Sequence, residues 1–175
     1  MKIDKNSYGT IALSWLISAA LTLLILKTIG MNTVGYTISV LVLLFSVFVT
    51  WFHRVPVRHT PEGDRIVTSG ADGKVVIIKK VYEKEYLKRE CMQVSVYMDF
   101  FNVHANFWPV TGKVSYYKYH PGRYLLAFLP KAAEENEHSS TAIDTGKEEI
   151  FFKQIAGTFA RRIVCYSQEG SEELR

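Results

Sequence analysis

The chain has 175 residues, enough for one domain of ordinary size, and 48% of them are hydrophobic. Its net charge of +4 is small and scattered, which argues against a nucleic-acid-binding protein. Residues 8–52 contain only one charged side chain, Lys27, so the mean hydropathy of +0.04 describes neither part of the chain. The two parts therefore belong to different structural classes.

Two apolar runs of about twenty residues, at 8–30 and 34–52, open the chain. At ~1.5 Å per residue, each run spans the roughly 30 Å hydrocarbon core of a bilayer as a helix. They predict transmembrane helices at about 8–29 and 34–52, so that residues 1–52 form a membrane anchor. The alternative for the first run, a cleaved signal peptide, is disfavoured because there is no convincing small-residue cleavage site and a second span follows at once.

Basic residues flank this hairpin at both ends, whereas its turn is uncharged. Lys2 and Lys5 precede it, and Arg54 and Arg58 follow it. The positive-inside rule places both termini on the cytoplasmic side of the cell (inner) membrane, together with a domain at 53–175. Arg54, Arg58 and Arg65 could also meet anionic headgroups, although charges that only set the topology explain them equally well.

The domain at 53–175 has a mainly strand-like pattern, with β-branched residues and turn signals at short intervals. Strands are predicted at 65–69, 74–82, 91–98, 112–120, 123–128, 140–145, 148–157 and 161–167. The polar stretch 131–140 is interpreted as a loop or a single helical turn. The predicted fold is α+β: a helical hairpin followed by a mainly antiparallel β domain, either a sandwich or a partly closed barrel, incomplete at the C-terminus.

Neither the cysteines nor the histidines have the spacing of a metal site. Cys91 and Cys165 are interpreted as reduced thiols in strands, with a disulfide between them as the alternative. A metal-dependent hydrolase using His104, His120 and His138 is disfavoured, because no pair has the usual ligand interval on one element. No metal ligands are therefore predicted.

Three stretches hold polar residues that a plain β core does not need. Asp72 lies in "SGADGKV" (69–75), where an ordinary Asp-Gly turn also explains it. His104 lies among aromatic and apolar neighbours, where a packed neutral histidine is the alternative. Arg161 and Arg162 are adjacent in a predicted strand, so they point to opposite faces, and at least one should face the interior or an anion.

Taken together, these stretches resemble the phosphatidylserine decarboxylase family, in particular its short, membrane-anchored bacterial and archaeal-type members. The resemblance spans essentially the whole chain. It is carried by "HRVPVR" (53–58) after the anchor, "ADGKV" (71–75), "MDFFNVHANFWPVTGKV" (98–114), "KAAEENE" (131–137) and "QIAGTFARRIV" (154–164).

The resemblance implies a pyruvoyl enzyme of phospholipid biosynthesis. Such a proenzyme, or zymogen, cleaves itself autocatalytically at an internal serine, which leaves a covalent pyruvoyl group on a small α chain. The pyruvoyl ketone forms a Schiff base with phosphatidylserine and acts as an electron sink, releasing CO2 and phosphatidylethanolamine. The implied partners are phosphatidylserine, the anionic membrane surface and the α chain; a homo-oligomer is possible, and no nucleic acid is expected.

The resemblance also implies roles for individual residues. His104 matches the catalytic histidine, a base for serine activation and a proton carrier during decarboxylation, and Asp72 matches its acidic partner. Arg161 and Arg162 are candidates for the substrate's phosphate or carboxylate, an inference from chemistry rather than from the family. Asn102 is a further candidate substrate-binding residue.

The chain departs from the family pattern in three places. Gly70 replaces a proline before "ADG", and Ala133 and His138 replace the Ser and Arg of "KxSxENER". The pair Gly170-Ser171 comes too early to be the cleavage site, so we expect a proenzyme that ends short of it. Residues 53–175 would then be most of the large β chain, inactive alone, with the pyruvoyl-forming serine beyond Arg175. The alternative is a noncatalytic truncated relative that binds lipid or a partner.

Overall fold

The computed structural model describes residues 2–61, 63, 66–129, 131–166 and 168–173. Arg65, and with it the start of the first predicted strand, lies outside the described residues. The chain divides into two compact units. Unit 1 comprises Met1–Arg58 and Val103–Ala105, and unit 2 comprises His59–Asn102 and Asn106–Arg175.

Unit 1 is a helical hairpin whose two helices are long and apolar enough to cross a membrane. A 3-10 turn at Lys5–Ser7 leads into α1 (Tyr8–Thr28), and α2 (Thr33–Phe52) follows after a short turn. Large apolar side chains such as Leu16 and Leu23 point outward, each 70% exposed. Because so few residues of either helix are buried, these helices are unlike the core of a water-soluble domain, and they indicate membrane association.

The most deeply buried residues between the two helices are small or polar. The buried positions are Ser18 in α1 and Gly35, Ser39 and Ser46 in α2. The hydroxyl oxygens of Ser18 and Ser46 are 2.7 Å apart, and Ser46 Oγ also donates to the Ser14 carbonyl at 3.0 Å. Small residues allow two helices to approach closely, and the hydroxyls of Ser18 and Ser46 then satisfy one another away from water.

The two ends of the hairpin meet at its open side. β1 (Lys2–Ile3) pairs antiparallel with β2 (Arg54–Val55), so the basic residues before α1 lie beside those after α2. The guanidinium of Arg54 lies 3.5 Å over the ring of Trp51. An aromatic residue and an arginine stacked at the end of an apolar helix are typical of a membrane–water interface.

Unit 2 contains two antiparallel sheets. β3 (Lys74–Tyr82) and β4 (Glu90–Tyr97) form a hairpin, and a second sheet has the order β7-β6-β5-β8. The strands of this four-stranded sheet are β5 (Gly112–His120), β6 (His138–Asp144), β7 (Glu149–Ile155) and β8 (Glu172–Glu173), and one helical turn, α3 (Ala132–Glu135), precedes β6. The predicted α+β class, with an N-terminal helical hairpin before antiparallel strands, is confirmed; the strands that the structure describes form no closed barrel.

Three predicted strands are wrong for the residues described. Residues 66–69 and 161–166 have no strand structure, and within 123–128 only Arg123 forms an isolated bridge, to Asn136. The buried Asn136 side chain takes the place of a strand partner there. Its carbonyl oxygen accepts from Leu125 N at 2.8 Å, and its amide donates to the Leu125 carbonyl at 2.9 Å. The backbone N–H and carbonyl of Leu125 are thus satisfied by a side chain and not by a neighbouring strand.

The core of unit 2 is built around β6, the strand between β5 and β7. Residues 139–143 of β6 are all buried, and Ala142 and Ile143 are fully inaccessible. Among the described residues of unit 2, further buried apolar side chains are Pro109, Val110, Val114, Ala132 and Ala156. Several β6 positions are serine or threonine, so this core depends on hydrogen bonding as well as on apolar burial.

The loop from Glu83 to Arg89, which joins β3 to β4, is shaped by one carboxylate. Glu83 accepts hydrogen bonds from the backbone N–H groups of Glu85, Tyr86 and Leu87, at 2.8, 2.8 and 2.7 Å. Burial raises the pKa of Glu83, but these three N–H groups outweigh it and leave the pKa below its usual value. The Glu83 carboxylate thereby holds Glu85 and Tyr86 in a fixed turn.

The turn places Glu85 against the four-stranded sheet. Its carboxylate bonds to His120 Nε2 on β5 (2.7 Å), Ser140 Oγ on β6 (3.0 Å) and Lys153 Nζ on β7 (2.6 Å). The ring of His138 stacks on that of His120, with centroids 4.4 Å apart. We call these five residues the Glu85 cluster. Burial raises the pKa of Glu85, but the bonds to Lys153, His120 and Ser140 outweigh it and lower the pKa to about 2.

This lowered pKa gives a prediction for stability against pH. Glu85 holds its proton less tightly in the folded chain than in the unfolded chain. Its contribution to the free energy of unfolding is therefore complete above pH 4.5, the ordinary pKa, and is lost as pH falls towards 2. The shift corresponds to at most about 3 kcal/mol. Glu85→Gln should therefore lower the free energy of unfolding at pH 7 and flatten its decline below pH 4.5. Denaturant unfolding of the full chain in detergent, followed by the far-UV circular dichroism of its strands, measures both effects.

Glu148→Gln is the matched control, because the Glu148 side chain is 72% exposed and its nearest cation, on Arg89, is 3.8 Å away. It should leave the pH profile of the wild type almost unchanged. If Glu85→Gln and Glu148→Gln gave the same profile, Glu85 would not have the stabilising role assigned to it.

Candidate active site

Asp72 lies on a half-buried turn whose shape depends on glycine. Gly73 has φ +154°, and a Cβ added there would lie 2.2 Å from the Tyr97 carbonyl oxygen. Only glycine allows the turn to pass so close to the first residue pair of β3 and β4, Lys74 and Tyr97. The position of Asp72 is therefore fixed by backbone packing.

Backbone hydrogen bonds join the segment before Asp72 to the segment after His104 in the chain. Phe107 N donates to the Gly70 carbonyl at 2.8 Å, and Thr68 N donates to the Pro109 carbonyl at 3.0 Å. The Thr68 hydroxyl reinforces this pairing by donating to the same Pro109 oxygen at 3.1 Å. Residues 68–70 thus run beside residues 107–109 within unit 2.

The turn before His104 is closed by Asp99 and Asn102. Asp99 Oδ1 accepts from the N–H groups of Phe101 and Asn102 at 2.8 and 3.1 Å, and Asn102 Oδ1 accepts from Asp99 N at 2.8 Å. Asn102 is a candidate substrate-binding residue, but its side-chain oxygen already accepts the Asp99 N–H and so stabilises this loop. The sequence did not indicate that structural role.

His104 is half-buried and packs on the last residue of α2. Its ring lies 4.3 Å from that of Phe52 at an interplanar angle of 27°, which is a stacked arrangement within unit 1. Phe52 in turn contacts the ring of His53 edge-on, 5.5 Å away. The imidazole of His104 therefore lies at the end of the second apolar helix.

Arg161 and Arg162 are both exposed and lie outside any strand. The segment turns sharply before them, because Gly157 N donates to the Ala160 carbonyl at 3.0 Å. Neither arginine is buried, and because residues 161–166 form no strand, the expectation that the two point to opposite faces of a strand is wrong. Contact of either arginine with an anion stays a prediction. Arg161 Nε donates to the Thr158 carbonyl at 2.8 Å, which fixes the base of its guanidinium while the side chain stays exposed.

A buried carboxylate, Glu137, is connected to the arginine segment through Tyr124. Tyr124 OH donates to Glu137, and this bond raises the pKa of the Tyr124 hydroxyl. The Tyr124 ring lies 5.5 Å beneath the Arg161 guanidinium. The backbone carbonyl of Tyr124 accepts from Thr158 Oγ1 at 2.9 Å. Sequence reasoning missed Glu137, because its polar neighbours in "KAAEENE" give no signal of burial.

The predicted residues are divided between the two units. Asp72, Asn102, Arg161 and Arg162 belong to unit 2, whereas His104 belongs to the short segment counted with unit 1. Within unit 2, the pair Gly170-Ser171 lies along β5. Gly170 N donates to the Val114 carbonyl at 2.8 Å, and Val114 N donates to the Ser171 carbonyl at 2.9 Å.

Comparison with known proteins gives a consistent family. The profile of the family described as phosphatidylserine decarboxylase matches residues 45–173. A phosphatidylserine decarboxylase proenzyme of Porphyromonas gingivalis is 38% identical over 173 residues, 97% of this chain and 78% of the relative. Similar proenzymes occur in Syntrophus aciditrophicus (47% over 133 residues, 75% of this chain and 62% of the relative) and Amoebophilus asiaticus (38% over 174 residues, 98% and 77%).

The matched region of the profile begins within α2 and includes Asp72, His104 and both arginines. The relatives match nearly the whole chain as well as the core of the β unit. The chain therefore belongs to the phosphatidylserine decarboxylase family.

Proposed function

We propose that this chain carries the main catalytic unit of a phosphatidylserine decarboxylase, a carboxy-lyase that converts phosphatidylserine to phosphatidylethanolamine and CO2. The helical hairpin anchors it in the cell membrane, with both termini and residues 53–175 on the cytoplasmic side. The family supports the reaction. The observation that carries the proposal is the stacking of His104 on Phe52, at the end of α2.

A lipid substrate fits this location. The second apolar helix ends at Phe52, beside Trp51 and Arg54, where a bilayer would give way to headgroups. The serine headgroup of an anionic phospholipid lies at the same level. A proton-transferring histidine packed there reaches a headgroup without the lipid leaving the membrane. A water-soluble substrate would not require this placement.

His104 is the proposed general base and proton carrier. An imidazole titrates near neutral pH, so it can take a proton from a serine hydroxyl and later return one to carbon. Stacking on Phe52 limits rotation of the ring and excludes water from one of its faces. Asp72, on its glycine-dependent turn, is the proposed acidic partner that favours the protonated imidazole.

The family is also the basis for proposing a pyruvoyl group, generated when the proenzyme cleaves itself, and carried on a small α chain. When present, this group supplies the electron sink into which the carbon–carboxylate bond can release its electrons. The side chains of this chain are compatible with such a group. His104 is the proposed base, Asp72 its acidic partner, and the guanidinium groups of Arg161 and Arg162 are exposed. Arg161, held by the Thr158 carbonyl, is the better placed of the two arginines to bind phosphate or carboxylate.

The direct test is to purify the protein from its native membrane and measure its intact mass and its decarboxylation of carboxyl-labelled phosphatidylserine in mixed micelles. We expect two chains, the smaller blocked at its N-terminus by pyruvate, together with release of labelled CO2. A single unprocessed chain that releases no CO2 would contradict the proposal.

His104→Ala in the complete proenzyme should abolish processing, because no base remains to activate the serine. Gel electrophoresis should show one uncleaved band, and CO2 release should be lost. His59→Ala is the matched control, since His59 is exposed and has no proposed role. Normal cleavage of the His104→Ala protein would exclude His104 as the base.

Asp72→Asn should slow processing without unfolding the turn, because asparagine is as compatible with an Asp-Gly type of turn as aspartate. Loss of one charge-assisted interaction should slow cleavage by about ten- to a hundredfold. Asp144→Asn is the control, because Asp144, the last residue of β6, also supports a glycine-containing turn by accepting from Gly146 N at 2.7 Å. Unchanged cleavage kinetics in Asp72→Asn would limit Asp72 to the turn.

Arg161→Ala should lower kcat/KM for phosphatidylserine by about tenfold or more, through the loss of a charge-assisted hydrogen bond. Processing should be unaffected, since the arginine is proposed to act on the substrate. Arg89→Ala provides the comparison, because Arg89 is exposed and its partner Glu148 lies 3.8 Å away. Equal activity of the two variants would argue against a substrate contact at Arg161.

A further inference from the structure

Two histidines face one another across adjacent strands of the four-stranded sheet. His120, the last residue of β5, pairs directly with His138, the first residue of β6. Their rings are stacked at 4.4 Å with an interplanar angle of 15°. Glu85 joins them from the 83–89 loop, and one ligand atom from each of the three residues lies within 4.8 Å of the other two.

The hydrogen bonds of Glu85, His120 and His138 determine where the two imidazole rings carry their nitrogen lone pairs. His138 Nδ1 lies 2.8 Å from the Asn136 carbonyl oxygen, which can only accept, so Nδ1 carries the proton and Nε2 of the neutral ring holds the lone pair. His120 Nε2 lies 2.7 Å from Glu85 Oε1. A backbone carbonyl that fixes the tautomer of a histidine is the usual outer-shell support of a metal-binding imidazole.

We propose that Glu85, His120 and His138 bind a divalent transition-metal ion, with Zn²⁺ as the favoured ion. Two imidazole nitrogens and one carboxylate oxygen are a common donor set for Zn²⁺, with the fourth position open to water. Glu85, His120 and His138 are not among the residues proposed for decarboxylation, so the metal site does not depend on the proposed function.

The side chains need to move only slightly to bind the ion. Ligands around a tetrahedral Zn²⁺ lie ~3.3 Å apart, given bonds of about 2.0 Å. The closest pair, His120 Nε2 and Glu85 Oε1, would have to separate from 2.7 Å, and the widest would have to close from no more than 4.8 Å. The Glu85 and His120 side chains are only 16% and 24% exposed, so the ion would be partly shielded from water.

Charge decides which cations are suitable. Lys153 Nζ lies 2.6 Å from Glu85 Oε2, so the negative charge of Glu85 is already balanced when both histidines are neutral. Ca²⁺ and Mg²⁺ depend on charged oxygen ligands and would gain little here. An ion that forms strong bonds to imidazole nitrogen is required. Lys153 and Ser140 bind Oε2, whereas Oε1 lies 2.7 Å from His120 Nε2 and also accepts from the Tyr116 hydroxyl at 3.2 Å.

The ion would join three separate parts of unit 2: the 83–89 loop, β5 and β6. It would take the place of the proton between His120 and Glu85 and would hold the loop on the sheet. Binding to the folded chain alone raises stability in proportion to the logarithm of the ion concentration above Kd. The expected consequence is a Zn²⁺-dependent increase in Tm.

The test uses the full chain in detergent, without a polyhistidine tag and freed of metal by a chelator. Titration with ZnCl2 at pH 7.5 by calorimetry should show one ion per chain, and Co²⁺ should give the absorption of a four-coordinate ion. His120→Ala and His138→Ala should each weaken Zn²⁺ binding by at least about tenfold. His59→Ala, which removes an exposed histidine outside the group, should bind as the wild type does.

His138→Gln serves as a second variant that keeps a side chain of similar length. Its circular dichroism should match the wild type, while the Zn²⁺-dependent rise in Tm disappears. The proposal is overturned if the wild type shows no saturable binding near one ion per chain. It is also overturned if His120→Ala and His138→Ala, folded by the same criterion, bind Zn²⁺ as His59→Ala does.

Discussion

The β unit depends on the position of one carboxylate, that of Glu85. It reaches the sheet because Glu83, two residues earlier, accepts three backbone N–H groups and fixes the turn between β3 and β4. Glu85 then contacts each of the three longer strands of the sheet, through His120, Ser140 and Lys153. A half-buried anion is stable there only because cations and donors surround it, so loop and sheet cannot separate without breaking these charge-assisted bonds.

The helical hairpin is held together by a different kind of interaction, because the outward-facing side chains of both helices are apolar and suited to lipid. Apolar burial cannot hold them together in a membrane, so small residues and hydroxyl pairs such as Ser18 with Ser46 do so. The same unit includes His104, stacked on Phe52. The helical hairpin therefore also supplies an aromatic surface for the residue proposed to move protons. Under the proposed function, attachment to the membrane and chemistry on a lipid headgroup would have the same structural basis.

Local patterns predicted the elements that carry their own signal. The strands 74–82 and 112–120 were predicted with the bounds observed, because alternation and β-branched residues mark them directly. The strands predicted at 123–128 and 161–167 are wrong for the residues described, although their composition is strand-like. In the first case the buried amide of Asn136 satisfies the backbone of Leu125 in place of a neighbouring strand. Such a long-range partner leaves no trace in local composition.

The sequence by itself determined the two long apolar helices, the β-rich class and the family, because each rests on composition or on contiguous motifs. The roles of His104 and Asp72 also came from such motifs and remain predictions. Only the tertiary structure brought His120 and His138 together with Glu85, since these residues are far apart in sequence and meet through strand register and a loop. Ligand spacing along one element cannot detect a group that forms across strands. The physical reason is that antiparallel pairing sets distances in space independently of distances along the chain.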